Sequence, residues 1–307
     1  MSAGLYHYSA YGLRIASEFE LPVRSTEASG GAPDLRLVSG CAPAGIPLAE
    51  GHITPRGDVH EVTFGSVHAG RFVIRGGCEI VVDGASGETA LGVVRAFLLG
   101  AAMGIALWQR GFLVLHGSAL ATPEGARVFL GGRGAGKSTL AAAAVADGRA
   151  TLLSDDIVAI QQGPAGPCVL PGFPVNKLDP SALAALAVEA DDDQTPLVHS
   201  KARKRLYAPP GASSPQEAVP LFQIMLLEFG GAAEGSLEHL GHAEANRELL
   251  VQTYHHLRPL IEASPETRRA NFVACSDLSQ LIPVSRLRRA SDLASLSRTV
   301  GLALAGP

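Results

Sequence analysis

Across the first ninety residues, apolar positions come in short runs set between Gly, Pro, Ser and Asp. LRLV (35–38), EVTF (61–64), RFVIR (71–75) and CEIVVD (78–83) alternate or cluster their apolar side chains as short strands do, and ASGGAP (28–33) reads as a loop. The period changes over 91–110, which reads as a helix, and FLVLHGSAL (112–120) returns to a strand. Beyond it, strand and helix alternate. ARVFLGG (126–132) is a strand running into a glycine-rich loop, 137–147 an Ala-rich helix, and ATLLSDD (150–156) a strand ending in two acids. Pro164, Pro167, Pro171 and Pro174 mark a loop-rich stretch, 180–190 reads as a helix, and VPLFQIMLLEF (219–229) as a long buried strand. Helices are expected over 244–262 and 290–305, with a short strand in LIPVSRL (281–287). The predicted architecture is α/β, with a β-rich N-terminal domain over 1–95 and a second domain over 96–307.

Composition narrows the function classes. The chain has 307 residues, 47% of them apolar, which suits a large globular core. Its net charge of −4 offers no general attraction to nucleic acid or to an anionic membrane. AFLLGAAMGIALW (96–108) is 13 uncharged residues between Arg95 and Gln109-Arg110. A bilayer span needs about 20, so a buried core helix is expected and no membrane contact. Cys41, Cys78, Cys168 and Cys275 form no C-x-x-C pair and no zinc-spaced cluster, in keeping with free thiols. MSAGLYHYSAYGLRI lacks the basic-then-apolar pattern of an export signal, so a cytoplasmic location is expected.

The chemistry concentrates after residue 115. Gly131-Gly132-Arg133-Gly134-Ala135-Gly136-Lys137-Ser138 fits G-x-x-x-x-G-K-[ST] with a strand before it and a helix, opened by Lys137, Ser138 and Thr139, after it. Glycines turn successive N–H groups toward phosphate oxygens, and the helix N-terminus adds a positive dipole end. Lys137 is a point charge for the β- and γ-phosphates, and Ser138 offers a hydroxyl to Mg²⁺. The motif predicts binding of a nucleoside triphosphate, ATP with Mg²⁺.

Asp155 and Asp156 follow Lys137 by 18 and 19 positions. At a strand end facing the loop, such acids hold Mg²⁺ or take a proton from an incoming hydroxyl; otherwise they are an exposed turn. Successive strand residues point to opposite faces, so only one of the two is expected to reach an acceptor. His116 lies in the strand preceding the loop's own strand. A lone His in an apolar strand is either simply packed or part of the site.

This combination resembles the HPr kinase/phosphorylase family, whose fold is related to that of phosphoenolpyruvate carboxykinase. LHGSALATPEGARVFLGGRGAGKSTLAAAAVADGRATLLSDD (115–156) carries the resemblance. It implies that His116 orients or activates the acceptor side and that one of Asp155 and Asp156 is the general base. Asp155 is the favoured base on that resemblance, with Asp156 supporting Lys137 or the metal beside Ser138. Thr139 stands where these kinases place Glu, Arg133 replaces a small polar residue, and no A-G-R-N-type signature follows. These departures count against HPr as substrate and against a reverse, phosphorylase reaction.

A closer resemblance is to the HPr-kinase-like proteins that tailor lasso-peptide precursors. YHYSAYGLRIASEFELP (6–22), the L-H-x-S-A strand, the loop, the Asp pair, PGFPVNKL (171–178), a Lys/Arg cluster and IPVSRLRR (282–289) follow that group's order. The resemblance implies a serine kinase acting on a peptide or protein, a lasso-peptide precursor. An HPr-type or small-molecule kinase and a non-catalytic nucleotide-binding module are the alternatives.

Four further groups are open. Asn176-Lys177-Leu178-Asp179 has the N-K-x-D spacing that reads guanine in GTPases, but no D-x-x-G lies in 138–175, so guanine reading is not expected. Lys177 is either a phosphate or substrate contact or a solvated loop residue. Lys204 and Arg205, in the cluster Lys201, Arg203, Lys204, Arg205, are either a clamp on the transferring phosphoryl group or a solvated face. Arg286, Arg288 and Arg289 are assigned to the surface or to a subunit contact, which leaves a homo-oligomer open, and His255-His256 to a structural helix.

Overall fold

The computed structural model describes residues 5–27, 30–50, 54–84, 88–186, 205–207, 215, 217–230 and 235–305. The first sheet holds β1 (Tyr6–Ala10), β2 (Leu13–Ser17), β3 (Leu35–Ser39), β4 (Arg56–Gly57), β5 (Glu61–Ser66), β6 (Gly70–Arg75) and β7 (Glu79–Asp83), in the order β1-β2-β3-β7-β6-β5-β4. β2-β3 and β3-β7 pair in parallel, the remainder antiparallel, so the sheet is mixed. Tyr11 and Gly12 close the β1-β2 hairpin with φ of 55° and 70°. Two positive φ values are what a two-residue turn needs to follow the strand twist. The Tyr11 ring is thereby turned inward, where it and Tyr8 meet Phe173 edge-on at 6.1 and 6.4 Å.

A helical run follows: α1 (Glu88–Phe97), a π-helical turn (Leu98–Ala102) and α2 (Met103–Gln109). By length and composition Leu91–Gln109 could cross a bilayer, but 78% of it is buried inside the protein. It is a core helix. One apolar cluster joins Phe64, Phe72 and Ile74 of the first sheet to Leu98, Met103 and Ile105, and these to Val114 and Ile157 beyond. A division at residue 95 falls within this run.

The second sheet is mixed as well. It holds β8 (Leu113–Thr122), β9 (Gly125–Leu130), β10 (Thr151–Gly163) and β11 (Gly166–Leu170), separated by α3 (Lys137–Ala146) between β9 and β10. A ribbon of β12 (Asn176–Leu178) and β13 (Arg205–Tyr207) stands apart, with α4 (Pro180–Ala185) between them in sequence. β14 (Val219–Phe229), β15 (Ser236–His239), α5 (His242–Gln252), α6 (Arg258–Glu262), α7 (Pro265–Leu281), β16 (Val284–Arg289) and α8 (Leu296–Leu304) complete the fold. The order is β11-β10-β8-β9-β14-β16-β15, and β11 also pairs with the start of β14. β9 is buried at every position between β8 and a parallel β14. Its alternation sorts the core: Val128 and Leu130 share a cluster with Leu249 of α5 and Leu278 of α7, while Phe129 meets Leu140 of α3 and Val300 of α8.

Two predicted elements differ, and others lie where none is predicted, β11 in the proline-rich stretch among them. The strand ending in two acids continues through them to Gly163, because β8 pairs with it along nearly its whole length. The helix over 244–262 breaks after Gln252, where Leu115 bridges Thr253 and the Tyr254 amide donates to the Val114 carbonyl at 2.9 Å. α7 is absent from the sequence reading. It starts on a Ser264 cap with Pro265 at its first turn but buries only Cys275, Leu278 and Ser279, too few to write an apolar stripe.

Candidate functional site

β9 delivers the chain into the glycine-rich loop, and α3 begins at Lys137. Gly136 has φ of 85°, and a Cβ there would collide with the Arg289 guanidinium. The positive φ favours glycine, whatever the guanidinium does. The Ala-rich body of α3 lets it lie close on Phe129 and Met225. Residues 131–139, Ala135 excepted, line a cavity of about 620 Å³. Ala135 points into the core. Lys137 is buried, and its Nζ donates to the carbonyls of Gly131 at 2.8 Å and Gly132 at 3.2 Å.

The acidic pair is level with the mouth of this loop. Asp155 lies opposite Ser118 and Asp156 opposite Gly117 on β8, and those two lie opposite Phe129 and Leu130 at the end of β9. Both carboxylates line the cavity. Strict alternation would have sent one of them away, but Asp156 has φ of 73°, a left-handed conformation in the middle of a strand. That conformation costs roughly 1–3 kcal/mol and is tolerated best, after glycine, by Asp and Asn.

The two acids keep different company. Asp155 Oδ1 accepts from Ser118 Oγ at 2.5 Å and from Ser138 Oγ at 2.9 Å, and Oδ2 accepts from the Lys177 backbone amide at 2.8 Å. Asp156 Oδ2 accepts from Lys177 Nζ at 2.7 Å, while Oδ1 lies 3.3 Å from His116 Nδ1. Burial pushes the Asp156 carboxyl up, yet the Lys177 ammonium and His116 outweigh it and hold it well below the usual carboxylate range. Ser138, placed beside Asp156 as a metal pair by the sequence reading, is bonded to Asp155.

Lys177, left open by the sequence, belongs to the cavity. On β12, Asn176 and Leu178 are buried on one side while Lys177 faces the carboxylates. Asn176, fully buried, presents nothing to a guanine base. Tyr11 and Phe173 hold the segment that leads into β12, with the Tyr11 amide donating to the Pro171 carbonyl at 2.6 Å.

The opposite wall is assembled from distant segments. The backbone at Gly100, in the π-helical turn, faces this group, and a Cβ there would make ordinary contact at 3.7–3.8 Å with Tyr254 Oη, Asp156 Oδ2 and Lys177 Nζ. Burial, with Asp156 nearby, pushes the Tyr254 phenol well above its usual value, so it remains a hydroxyl. His255, assigned to a structural helix, sits instead on a 3₁₀ turn with its ring 5.5 Å from that of His116, and both line the cavity. A sequence signal existed only for His116.

The remaining arginines also move. Arg289 is buried, not at the surface: it stacks on Phe229 at 4.6 Å and donates from Nη2 to the Ala135 carbonyl at 2.8 Å, beneath the glycine-rich loop. Arg286 is buried among Glu228, Glu244 and Glu248, while Arg288 is half-buried beside Glu238. Lys204 lies outside the described residues. Arg205 pairs through its backbone with Leu178, next to Lys177 on the ribbon.

The donor set suits a hard cation. Among the described residues no cluster of three or more His, Cys, Asp or Glu holds a metal alone. Mg²⁺ in a phosphate site needs only one or two protein oxygens besides phosphates and water, and Ser138 Oγ with Asp155 Oδ1 supplies such a pair. No family model matches this chain, and a search of curated proteins finds no match.

Proposed function

We propose that this chain is an ATP- and Mg²⁺-dependent kinase of the HPr-kinase-like type, transferring the γ-phosphoryl group to a serine hydroxyl of a peptide or protein. The observation that carries this reading is the convergence of the glycine-rich loop, Ser138, Asp155, Asp156, His116 and Lys177 on one cavity. The loop amides and Lys137 bind and orient the phosphates. Ser138 and Asp155 hold Mg²⁺, which when bound neutralises charge on the phosphate oxygens. Asp156 is the proton acceptor, held by His116. These two roles are the reverse of those the family resemblance favours, and they follow from which carboxylate bonds Ser138.

In the transfer, the acceptor oxygen forms its bond to the γ-phosphorus and its proton passes to Asp156. The bond from the γ-phosphorus to the bridging oxygen breaks, and its electron pair stays on the ADP product. A carboxylate of low pKa suffices, because a loose transition state asks little of the base until the new bond is well formed. The lasso-peptide precursor as acceptor rests on the resemblance in residues 6–22, 115–156 and 282–289.

The test is transfer from ATP to purified acceptors, a lasso-peptide precursor first, then HPr and small hydroxyl compounds. Asp156→Asn keeps the side-chain shape and tolerates the positive φ, so it removes the basicity, and with it the charge that pairs with Lys177, at little change of form. Phosphorylation should fall about 10²–10⁴-fold while nucleotide affinity changes little. If ATP binds, no acceptor is phosphorylated and the variant behaves as wild type, the chain is a nucleotide-binding module and not a kinase.

A further inference from the structure

Both oxygens of Asp156 are engaged: Oδ2 by Lys177 Nζ at 2.7 Å and Oδ1 by His116 at 3.3 Å. Each oxygen keeps a second lone pair, but one that also accepts from an ammonium is a poorer base than one that does not, and the two partners differ in freedom. His116 is seated in β8, its Nδ1 also 3.1 Å from the Asp156 carbonyl, so its ring is tied to the backbone it serves. Lys177 ends in an ammonium on a flexible stem, a point charge that moves between anions. Its backbone, by contrast, is fixed: β12 pairs with β13, Asn176 and Leu178 are buried, and the Lys177 amide donates to Asp155 Oδ2. Asp155 in turn bonds Ser138 at the start of α3. Lys177 is thus tethered one carboxylate away from the phosphate loop, inside the same cavity.

Resting on the kinase reading above, we infer that Lys177 is a further catalytic residue: its ammonium exchanges the Asp156 carboxylate for the γ-phosphate when the nucleotide binds. The exchange does two things at once. It brings a second cation, besides Lys137, to oxygens over which the transferring group spreads its charge. It also releases Asp156 Oδ2, leaving that oxygen open to the acceptor hydroxyl while His116 keeps the carboxylate aimed. No proton moves in the exchange itself. A cavity holding only ADP lacks the γ-phosphate that draws Lys177 away, so the base is released only when there is a phosphoryl group to transfer. Lys177 thereby fills the clamp role that the sequence offered to Lys204 or Arg205.

A purely structural Lys177, serving only to neutralise Asp156, makes a different prediction, and nucleotide binding separates the two without any acceptor. The Mg²⁺ complexes of ADP and of a non-hydrolysable β,γ-imido triphosphate are titrated calorimetrically into wild type, Lys177→Met and Lys177→Arg. A charge-assisted hydrogen bond to the γ-phosphate is worth roughly ten- to a hundredfold in affinity. Lys177→Met should therefore lose the triphosphate analogue by that factor and keep ADP within about twofold, with Lys177→Arg recovering most of the loss. The double variant Asp156→Asn with Lys177→Met, which removes both charges of the pair, should show the same selective loss; it stands in if the single variant melts before it can be titrated. Equal losses for both nucleotides, or none, overturn the inference and leave the kinase reading standing. Failure of wild type to bind either nucleotide overturns both.

Discussion

One wall of the cavity is formed by residues 131–139, all but Ala135 lining it, and their geometry follows from one strand, one turn and one helix start. On the other wall, Gly100, His116, Asp156, Lys177 and the adjacent pair Tyr254 and His255 come from five places along the chain and meet only because two sheets close on a buried helix. The first wall is local, and under the kinase proposal it meets what is constant in a nucleotide, its phosphates. The second is built by long-range packing, and its chemistry is mixed: apolar side chains such as Val93 and Phe97 beside imidazoles, an ion pair and a phenol. Damage to the local wall should abolish phosphate binding and leave the fold intact. Damage to the assembled wall should leave phosphate binding and change what happens next. Even the local wall has distant support, since Arg289 from β16 props the loop at Ala135.

The largest effect should come from the local wall. Lys137→Ala removes the cation that the kinase proposal sets against the β- and γ-phosphates and should lower transfer by roughly 10²–10³-fold or more, with nucleotide affinity falling as well. Transfer assays and calorimetry on one preparation check both, and near wild-type transfer would remove the basis for the assignment. Asp155→Asn sits where the two walls touch. It should lower activity roughly 10–100-fold, in line with weakened metal holding, and raising Mg²⁺ should restore part of the loss. Asp156→Asn should not respond to added Mg²⁺; a reversal of that pattern would exchange the roles of the two acids.

The smallest effect is one of stability and belongs to the assembled wall. The folded pKa of Asp156 lies below its unfolded value, near 3.9. Its contribution is complete above the unfolded value and is lost as pH falls through the folded one. In metal-free buffer, the difference in melting temperature between wild type and Asp156→Asn should therefore narrow as the pH drops below about 4. A difference that widens in acid would mean that burial, and not Lys177 and His116, dominates that carboxyl.

The apolar periodicity of the chain was enough to mark β9, α3, β14 and the core helix, because each buries a continuous face or run that short-range pattern records. The glycine-rich loop was legible for a similar reason: the motif is a matter of backbone geometry within eight residues. Asp155 and Asp156 were visible as residues but not as a pair of roles. Which one meets Ser138 depends on β8 running between β9 and β10 and on a positive φ that breaks alternation. Tyr254 and His255 carry no local signature, and Lys177 and Arg289, though they lie in segments that follow the resemblance, have no place in the cavity assigned by those segments. Each is ordinary in its own segment, and each acquires its place when strands far apart in the chain pair and desolvate it. Short-range pattern specifies elements and loops; the low-dielectric neighbourhood that tunes a charge exists only once the sheets have closed around it.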